Sequence, residues 1–269
     1  MFSLNDGTGA RHPLNVTWSV WHAMFMREMV ARTMSDRMAW FWMVFEPIAI
    51  ITIMIAVRTV ILGHHRHISG ADFVPWMVVG MMGFFLFREN MMRSIGAVNA
   101  SKGLFAYRQI KPIDPVLIRC FVEGIVRTFV FLIFISVGSL LKFDLLPDSP
   151  LEATFDWLSI WALGWGVGLT LSVIATLVEE VGRVVRLISL PLLIVSGVIL
   201  PLNYLPHQLQ EIVLLNPIVH GIESMRVSFF ARYHTLGGVD MTYLWMWSAG
   251  LLVLGMIMHL RFSYRLKAK

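Results

Sequence analysis

Long apolar runs, repeated from Trp40 to the end of the chain, constrain the fold of this sequence more than any other feature. A transmembrane helix needs about 20 mostly apolar residues. The chain is 57% hydrophobic and only 14% charged, whereas soluble domains have about 25% charged residues. We therefore predict an all-α integral membrane protein with six transmembrane helices, at about residues 40–62, 71–92, 115–140, 157–178, 184–202 and 243–260.

The basic residues sort by the side of the membrane on which these spans place them. Fourteen of the 22 lysines and arginines fall on one side and four on the other, while the loop at 142–156 carries four acidic residues. Cytoplasmic loops hold the excess of Lys and Arg, so both termini are predicted to be cytoplasmic. The net charge of +5 thus reflects topology, and no nucleic-acid partner is expected. Residues 1–269 form one predicted transmembrane domain, with a cytoplasmic segment (1–39) and a six-span core (40–269).

A helix is predicted between Asn15 and Arg37, before the first span. Helical spacing places Trp18, Trp21, Phe25 and Met29 within one face. The segment carries too many charges to span, so we predict an amphipathic interface helix. It acts either as a simple membrane anchor or as a surface that contacts a cytoplasmic partner.

The stretch from Pro201 to Arg226 is too polar to cross a bilayer and too apolar for a solvated loop. Its prolines at 201, 206 and 217 each remove a backbone donor and end or kink a helix. We predict two short helices, at about 206–215 and 217–230, that dip into the membrane between spans five and six. The alternative is an ordinary interfacial linker.

Other residues predict how the spans are shaped and packed. Pro191 is expected to break span five, which Pro201 closes. In span four, Gly164, Gly168 and Ser172 have the spacing that lets membrane helices approach closely.

Several chemistries have no motif in this sequence. It contains no Gly-x-x-x-x-Gly-Lys-Ser/Thr phosphate loop, no His-Glu-x-x-His zinc helix and no Gly-x-Ser-x-Gly elbow. The histidines of His64-His65-Arg66-His67 are adjacent and lack the separated spacing of a closed metal site. We therefore expect no catalytic, metal or cofactor residues here, and six spans without an energy motif indicate a pump driven by another subunit.

Four groups of residues resemble one family of membrane proteins. The chain is similar to the ABC transporter type-2 permeases, and within them to the KpsM-type inner-membrane proteins of capsule export. The resemblance rests on Arg27-Glu28 with Arg32, on Glu46-Pro47, on residues 103–115, and on the 201–226 stretch with Leu205-Pro206, Asn216-Pro217, His220, Glu223 and Arg226.

This resemblance implies a homodimeric exporter of lipid-linked, anionic capsular polysaccharide across the bacterial inner membrane. Separate ATP-binding subunits would hold ATP and magnesium on the cytoplasmic side, and periplasmic and outer-membrane capsule export proteins would be partners. The residues expected to contact the ATPase are Arg27, Glu28, Arg32, Ser101, Lys102 and Arg108. Those expected at an outer gate are Tyr204, Pro206, Asn216, Pro217, His220, Glu223 and Arg226.

Charged residues inside the spans are expensive and usually functional. Arg119, Glu123 and Arg127 recur every four residues and share one helix face. At about 1.5 Å per residue, Arg127 lies about 18 Å from the start of span three, within a core about 30 Å thick. These residues form either a structural ion ladder or a cationic strip along the substrate path, which would also include Arg88, Arg93 and Glu46.

Two other functional classes stay open. One is an exporter permease for another lipid, an O-antigen-type glycan or a drug, whose path would differ in its polarity. The other is a membrane-embedded enzyme or scaffold, which would need no ATPase.

The charge asymmetry makes a testable prediction about topology. Cysteines introduced at Ser3 and Lys267 should be shielded from a membrane-impermeant thiol reagent in intact cells, because both termini are predicted to be cytoplasmic. A cysteine at His207 should react, because residues 203–240 are predicted to face outward. Gel-shift labelling measures all three variants, and the reverse pattern would overturn the topology.

Overall fold

The chain folds into helices apart from its turns and one small hairpin. The computed structural model describes residues 13–34, 38–62, 67–68 and 70–268. The helices in these ranges are α1 (Pro13–Met34), α2 (Ala39–Leu62), α3 (Phe73–Ile95), α4 (Ala97–Ala100), α5 (Asp114–Leu140), α6 (Pro150–Leu177), α7 (Glu179–Val195), α8 (His207–Leu214), α9 (Pro217–Phe229), α10 (Met241–Arg261) and α11 (Ser263–Ala268). The strands β1 (His67–Ile68) and β2 (Ala71–Asp72) pair antiparallel, and 3₁₀ turns lie at Lys102–Ala106 and Leu202–Tyr204.

Among the described residues, three helices have the length and apolarity to cross a membrane, namely α5, α6 and α10. The other predicted spans coincide with α2, α3 and α7. Of these, α2 contains an apolar stretch at Val44–Val57, α3 carries charged residues in its last turns, and α7 has only 17 residues. The all-α membrane fold is confirmed, while the six-span count and the orientation of the termini stay predictions.

Two predicted boundaries were wrong. The segment 150–156, assigned to an outer loop, is the start of α6, where Pro150 and Glu152 suit the first turn of a helix. Pro191 does not break α7, because backbone bonding resumes beyond it with Ser196 N–H donating to the Leu192 carbonyl. The helix ends instead before Gly197, whose φ of +68° belongs to the left-handed region that favours glycine.

Helix α6 packs most extensively against α10 and α3, and small residues allow the close approach predicted for it. A Cβ atom on Gly168 would lie 2.6 Å from the Ser94 hydroxyl of α3, and one on Gly164 would lie 3.0 Å from the Asn90 Cβ. Ser172 and His259 of α10 are joined by a hydrogen bond of 2.9 Å between Oγ and Nε2. At the centre of the bundle the backbone of α6 therefore lies close to its neighbouring helices.

Helix α1 packs along the first half of α5. The indole N–H of Trp21 donates to Asp114 at 3.1 Å, and the rings of Phe25 and Phe121 lie 6.0 Å apart. Burial within the protein does not follow the predicted apolar stripe: its member Trp18 is 70% exposed, whereas Met24, which lies off the stripe, is 5% exposed. Contacts with α5 decide which face of α1 is buried. The spacing of residues within α1 does not reveal those contacts.

Two glycines of α10 form a matched pair that tests this packing. Gly255→Ala should lower the melting temperature, because its Cβ would lie 2.6 Å from Leu169 Cβ and overpacking costs about 1–3 kcal/mol. Gly250→Ala should hold or raise it, because nothing among the described residues lies within 4 Å and alanine favours helix by about 0.5–1 kcal/mol. Thermal unfolding in detergent measures both variants, and an equal loss in the two would contradict the packing.

Candidate functional site

A cavity of about 840 Å³ lies among α1, α2, α3, α5 and α7, and we call it the charged cavity. It is lined by Glu28, Ala31, Arg32, Trp42, Glu46, Arg88, Glu89, Met92, Arg93, Arg119, Arg127, Arg186 and Ser189. Most of these side chains carry a charge, although the surrounding helices are mainly apolar. The cavity is therefore suited to a polar or charged occupant.

The structure brings together all the residues that the sequence predicted for a substrate path. Five of them line the charged cavity, namely Glu46, Arg88, Arg93, Arg119 and Arg127. The sixth, Glu123, is 1% exposed and lies behind the arginines. With Glu123 included, six arginines and four glutamates surround the cavity and leave two net positive charges when all are ionised. An anionic occupant fits this balance.

Three arginines from three helices converge on Glu123. Arg127 of α5 lies 2.8 Å from its Oε1, and Arg93 of α3 lies 2.8 Å from its Oε2. Arg32 of α1 lies 3.3 Å from Oε2. A buried carboxylate needs such partners, because removing charges from water costs several kcal/mol for each ion. Glu123 therefore ties α1, α3 and α5 together.

The remaining charges form a looser shell around this carboxylate. Glu89 lies 2.8 Å from Arg88, 3.6 Å from Arg127 and 3.8 Å from Arg93. Arg119 turns away from Glu123 and pairs with Glu28 of α1 at 2.8 Å. Of the ion ladder predicted along α5, the Glu123–Arg127 pair is present. Arg119 instead holds α1 through its ion pair with Glu28.

The residues expected to contact an ATPase occupy three different environments. Glu28 and Arg32 line the charged cavity. Arg27 is exposed and its guanidinium lies 3.5 Å from the hydroxyl of Ser101, which is buried. Lys102 and Arg108 are exposed on the segment after α4. Of the six residues, Arg27, Lys102 and Arg108 are therefore the exposed ones.

At the other end of α3, Arg226 of α9 is completely buried. Its guanidinium lies 3.6 Å from the centre of the Trp76 ring and donates to the carbonyls of Gly197 and Val198 at 2.9 and 3.1 Å. Gly80 makes room for it, since a Cβ there would lie 2.3 Å from Arg226 Nη2. Arg226 therefore fastens α9 to α3 and to the chain that leaves α7.

Glu223 balances the charge of Arg226 at 2.7 Å. Its second oxygen accepts hydrogen bonds from the hydroxyls of Tyr233 at 2.9 Å and Thr235 at 2.7 Å. Burial raises the pKa of Tyr233 to about 12, so this phenol keeps its proton and remains a donor. The carboxylate is fully satisfied, as buried polar groups usually are.

Some of the other predicted gate residues make contacts that position α9, and the others are exposed. His220 Nε2 donates to the Leu214 carbonyl at 2.8 Å while Nδ1 accepts from the Asp240 N–H at 2.9 Å, which fits a neutral ring. Asn216 caps α9 by accepting from Ile218 N–H, and Pro217 occupies the first turn. Of these residues His220 is buried, Asn216 and Pro217 are half-buried, and Tyr204 and Pro206 are accessible.

Some site residues were not predicted. Glu89 precedes Arg93 by four residues on α3, a helical spacing that would have paired them. Arg186 and Ser189 reach the cavity from α7 and Trp42 from α2, and no local pattern marks them. Residues 64–66 of the histidine-rich segment lie outside the described residues.

A family model for the ABC-2 type transporter matches residues 19–230, which include the charged cavity and α9. The chain belongs to the ABC-2 type transporter family. This ABC-2 chain is 29% identical over 237 residues to the polysialic acid transport protein KpsM of Escherichia coli, covering 88% of this chain and 91% of the relative. It is 24% identical over 262 residues to the capsule polysaccharide export inner-membrane protein BexB of Haemophilus influenzae, covering 96% of each. It is 25% identical over 241 residues to the corresponding protein CtrC of Neisseria meningitidis, covering 90% of each.

The buried Arg226 yields a testable prediction for this ABC-2 chain. Arg226→Ala should destabilise the fold by about 3–5 kcal/mol, because it strands a buried Glu223. Arg232→Ala should be close to neutral, because Arg232 is exposed on the loop that follows α9. Thermal unfolding and the yield of folded protein measure both.

A double variant separates charge from packing at this position. Replacing Glu223 by Gln together with Arg226 by Met should recover part of the lost stability, because no buried charge is then left unpaired. A double variant no more stable than Arg226→Ala would contradict the charge-pair explanation.

Proposed function

We propose that this chain is the membrane-spanning permease subunit of an ABC exporter that moves capsular polysaccharide out across the bacterial inner membrane. Membership of the ABC-2 family and the named functions of KpsM, BexB and CtrC support this proposal. The observation that carries it on this chain is the charged cavity, which has an excess of arginine among membrane helices. Bidentate guanidinium groups recognise the carboxylates and phosphates of acidic glycans.

The proposal includes partners that power the transport. An ATP-binding subunit would hold ATP and magnesium and dock on the exposed basic surface formed by Arg27, Lys102 and Arg108. The permease itself would perform no catalysis. A second copy of this chain would complete the path, and periplasmic and outer-membrane capsule export proteins would continue it.

The transported molecule is proposed to be a lipid-linked, anionic polysaccharide. Drug-sized ligands are usually bound in pockets with mostly apolar linings. The charged cavity has the opposite character, with nine charged side chains among its thirteen lining residues. This favours an acidic glycan over an apolar drug as the cargo.

Arginines that line the cavity without a buried partner offer the sharpest test. Arg186→Gln and Arg88→Gln should reduce export while leaving protein level unchanged, since Arg186 is exposed and Glu89, the partner of Arg88, keeps Arg127 at 3.6 Å and Arg93 at 3.8 Å. A hydrogen bond to a charged group is worth about 1.5–3 kcal/mol, so substrate binding should weaken about tenfold or more. Surface capsule in a permease-deletion strain, complemented together with the ATP-binding subunit, measures export.

Arg183→Gln is the matched control for Arg186→Gln. Arg183 lies one turn earlier on α7, is exposed and does not line the cavity. Its loss should leave export unchanged, because Arg183 does not line the cavity. It removes the same charge from the same helix, so it controls for the change in net charge. Normal export in both cavity variants at normal protein level would contradict the proposed path.

A further inference from the structure

The protein itself places an anion, the carboxylate of Glu123, against the arginines of the charged cavity. Glu123 lies behind the lining arginines, and its two oxygens contact Arg127, Arg93 and Arg32 at 2.8 to 3.3 Å. Three guanidinium groups thus share one carboxylate, and the neighbouring Glu89 reaches two of them only at 3.6 and 3.8 Å. The arginines are therefore held mainly by Glu123, and an anion that enters the cavity meets guanidinium groups already engaged with this carboxylate.

An acidic group entering the cavity meets the same arginines from the opposite side. Arg32, Arg93 and Arg127 all line the cavity, whereas Glu123 does not. Carboxylates and phosphates bind guanidinium in the same fork geometry. A guanidinium that turns toward such a ligand must loosen its contact with Glu123. The ligand and Glu123 are therefore competitors for shared donors.

Arg32 connects this competition to helix α1. Its contact with Glu123 is one of two ion pairs that hold α1 on α5, the other being Glu28–Arg119. Five residues before Arg32, Arg27 of α1 contacts Ser101 on the segment after α4. Helix α1 therefore connects the Arg32–Glu123 contact to the surface proposed to bind the ATP-binding subunit.

We propose that Glu123 is an internal substitute for the acidic groups of the substrate and that substrate binding displaces it from Arg32, which removes one of the contacts between α1 and α5 and lets α1 shift. The inference rests on the proposed function, because it assigns a regulatory step to the same cavity. It makes Glu123 a specificity-determining residue, since a neutral sugar cannot compete with a carboxylate for arginine. The acidic ligand binds only the protein in which Glu123 has left the donors, so its apparent affinity is the intrinsic affinity multiplied by that fraction.

The test measures the distance between α1 and α5 in the complete complex with its ATP-binding subunit, reconstituted in nanodiscs without nucleotide. Spin labels are placed at Met26→Cys and Leu132→Cys, both exposed positions outside the cavity. The native Cys120 is buried and need not be replaced. Oligosialic acid should shift the distance distribution in the otherwise wild-type protein, and a neutral maltooligosaccharide should not.

Variants of Glu123 test the mechanism without relying on the choice of glycan. Glu123→Gln should show the shifted distribution with no ligand and should raise ligand-free ATP hydrolysis to the level reached by wild type with oligosialic acid. Glu180→Gln, an exposed acid on α7, should match wild type in both measurements. Glu123→Asp keeps the charge and should lower the half-maximal oligosialic acid concentration at least threefold, which provides a readout if Glu123→Gln fails to fold.

The outcomes separate this inference from the proposed function. An unshifted distance and unchanged ATP hydrolysis in a folded Glu123→Gln variant would overturn the inference, as would an unchanged midpoint in Glu123→Asp. Either result leaves the export defect of Arg186→Gln as independent support for the cavity. Normal export in Arg186→Gln and Arg88→Gln, by contrast, would reject the proposed path whether or not α1 moves.

Discussion

Charge buried among apolar helices is the constraint on which this structure depends. Helices in a lipid environment gain no hydrophobic stabilisation from touching one another, so close packing and polar contacts decide how they associate. Here two arginine–glutamate groups supply those contacts, one around Glu123 and one at Glu223–Arg226. Each group joins helices that are far apart in sequence, and each would be costly if one partner were missing.

Helix α3 belongs to both groups. It carries Glu89 and Arg93 near one end, while Trp76 and Gly80 receive the guanidinium of Arg226 near the other. Beside Glu89 and Arg93 it lies against Gly164 and Gly168 of α6, whose lack of a side chain lets the two helices approach closely. A shift of α3 at the charged cavity must therefore be accommodated where α9 is fastened, so the two ends of the proposed path are mechanically related.

The periphery is attached differently from the centre. Helices α3, α6 and α10 meet through close packing and small residues, and such interfaces adjust little because packed interiors tolerate few changes of volume. Helix α1 rests on α5 through two ion pairs, an indole hydrogen bond and an aromatic contact. An anionic ligand can exchange with ion pairs, whereas it cannot exchange with a glycine contact. This difference makes α1 the element that a charged substrate can move.

The sequence by itself determined where the helices lie, because apolar length and proline positions are local properties. It also determined the Glu123–Arg127 pair and the Asn216-Pro217 start of α9, which depend on spacing of four residues or fewer. Only the tertiary structure decided that Arg32 joins Glu123, 91 residues away, and that Arg226 is buried on Trp76. It also decided that α7 continues through Pro191 and that Met24 faces inward. Spacing along one helix fixes which side chains share a face, but which partner that face meets depends on how separate helices pack.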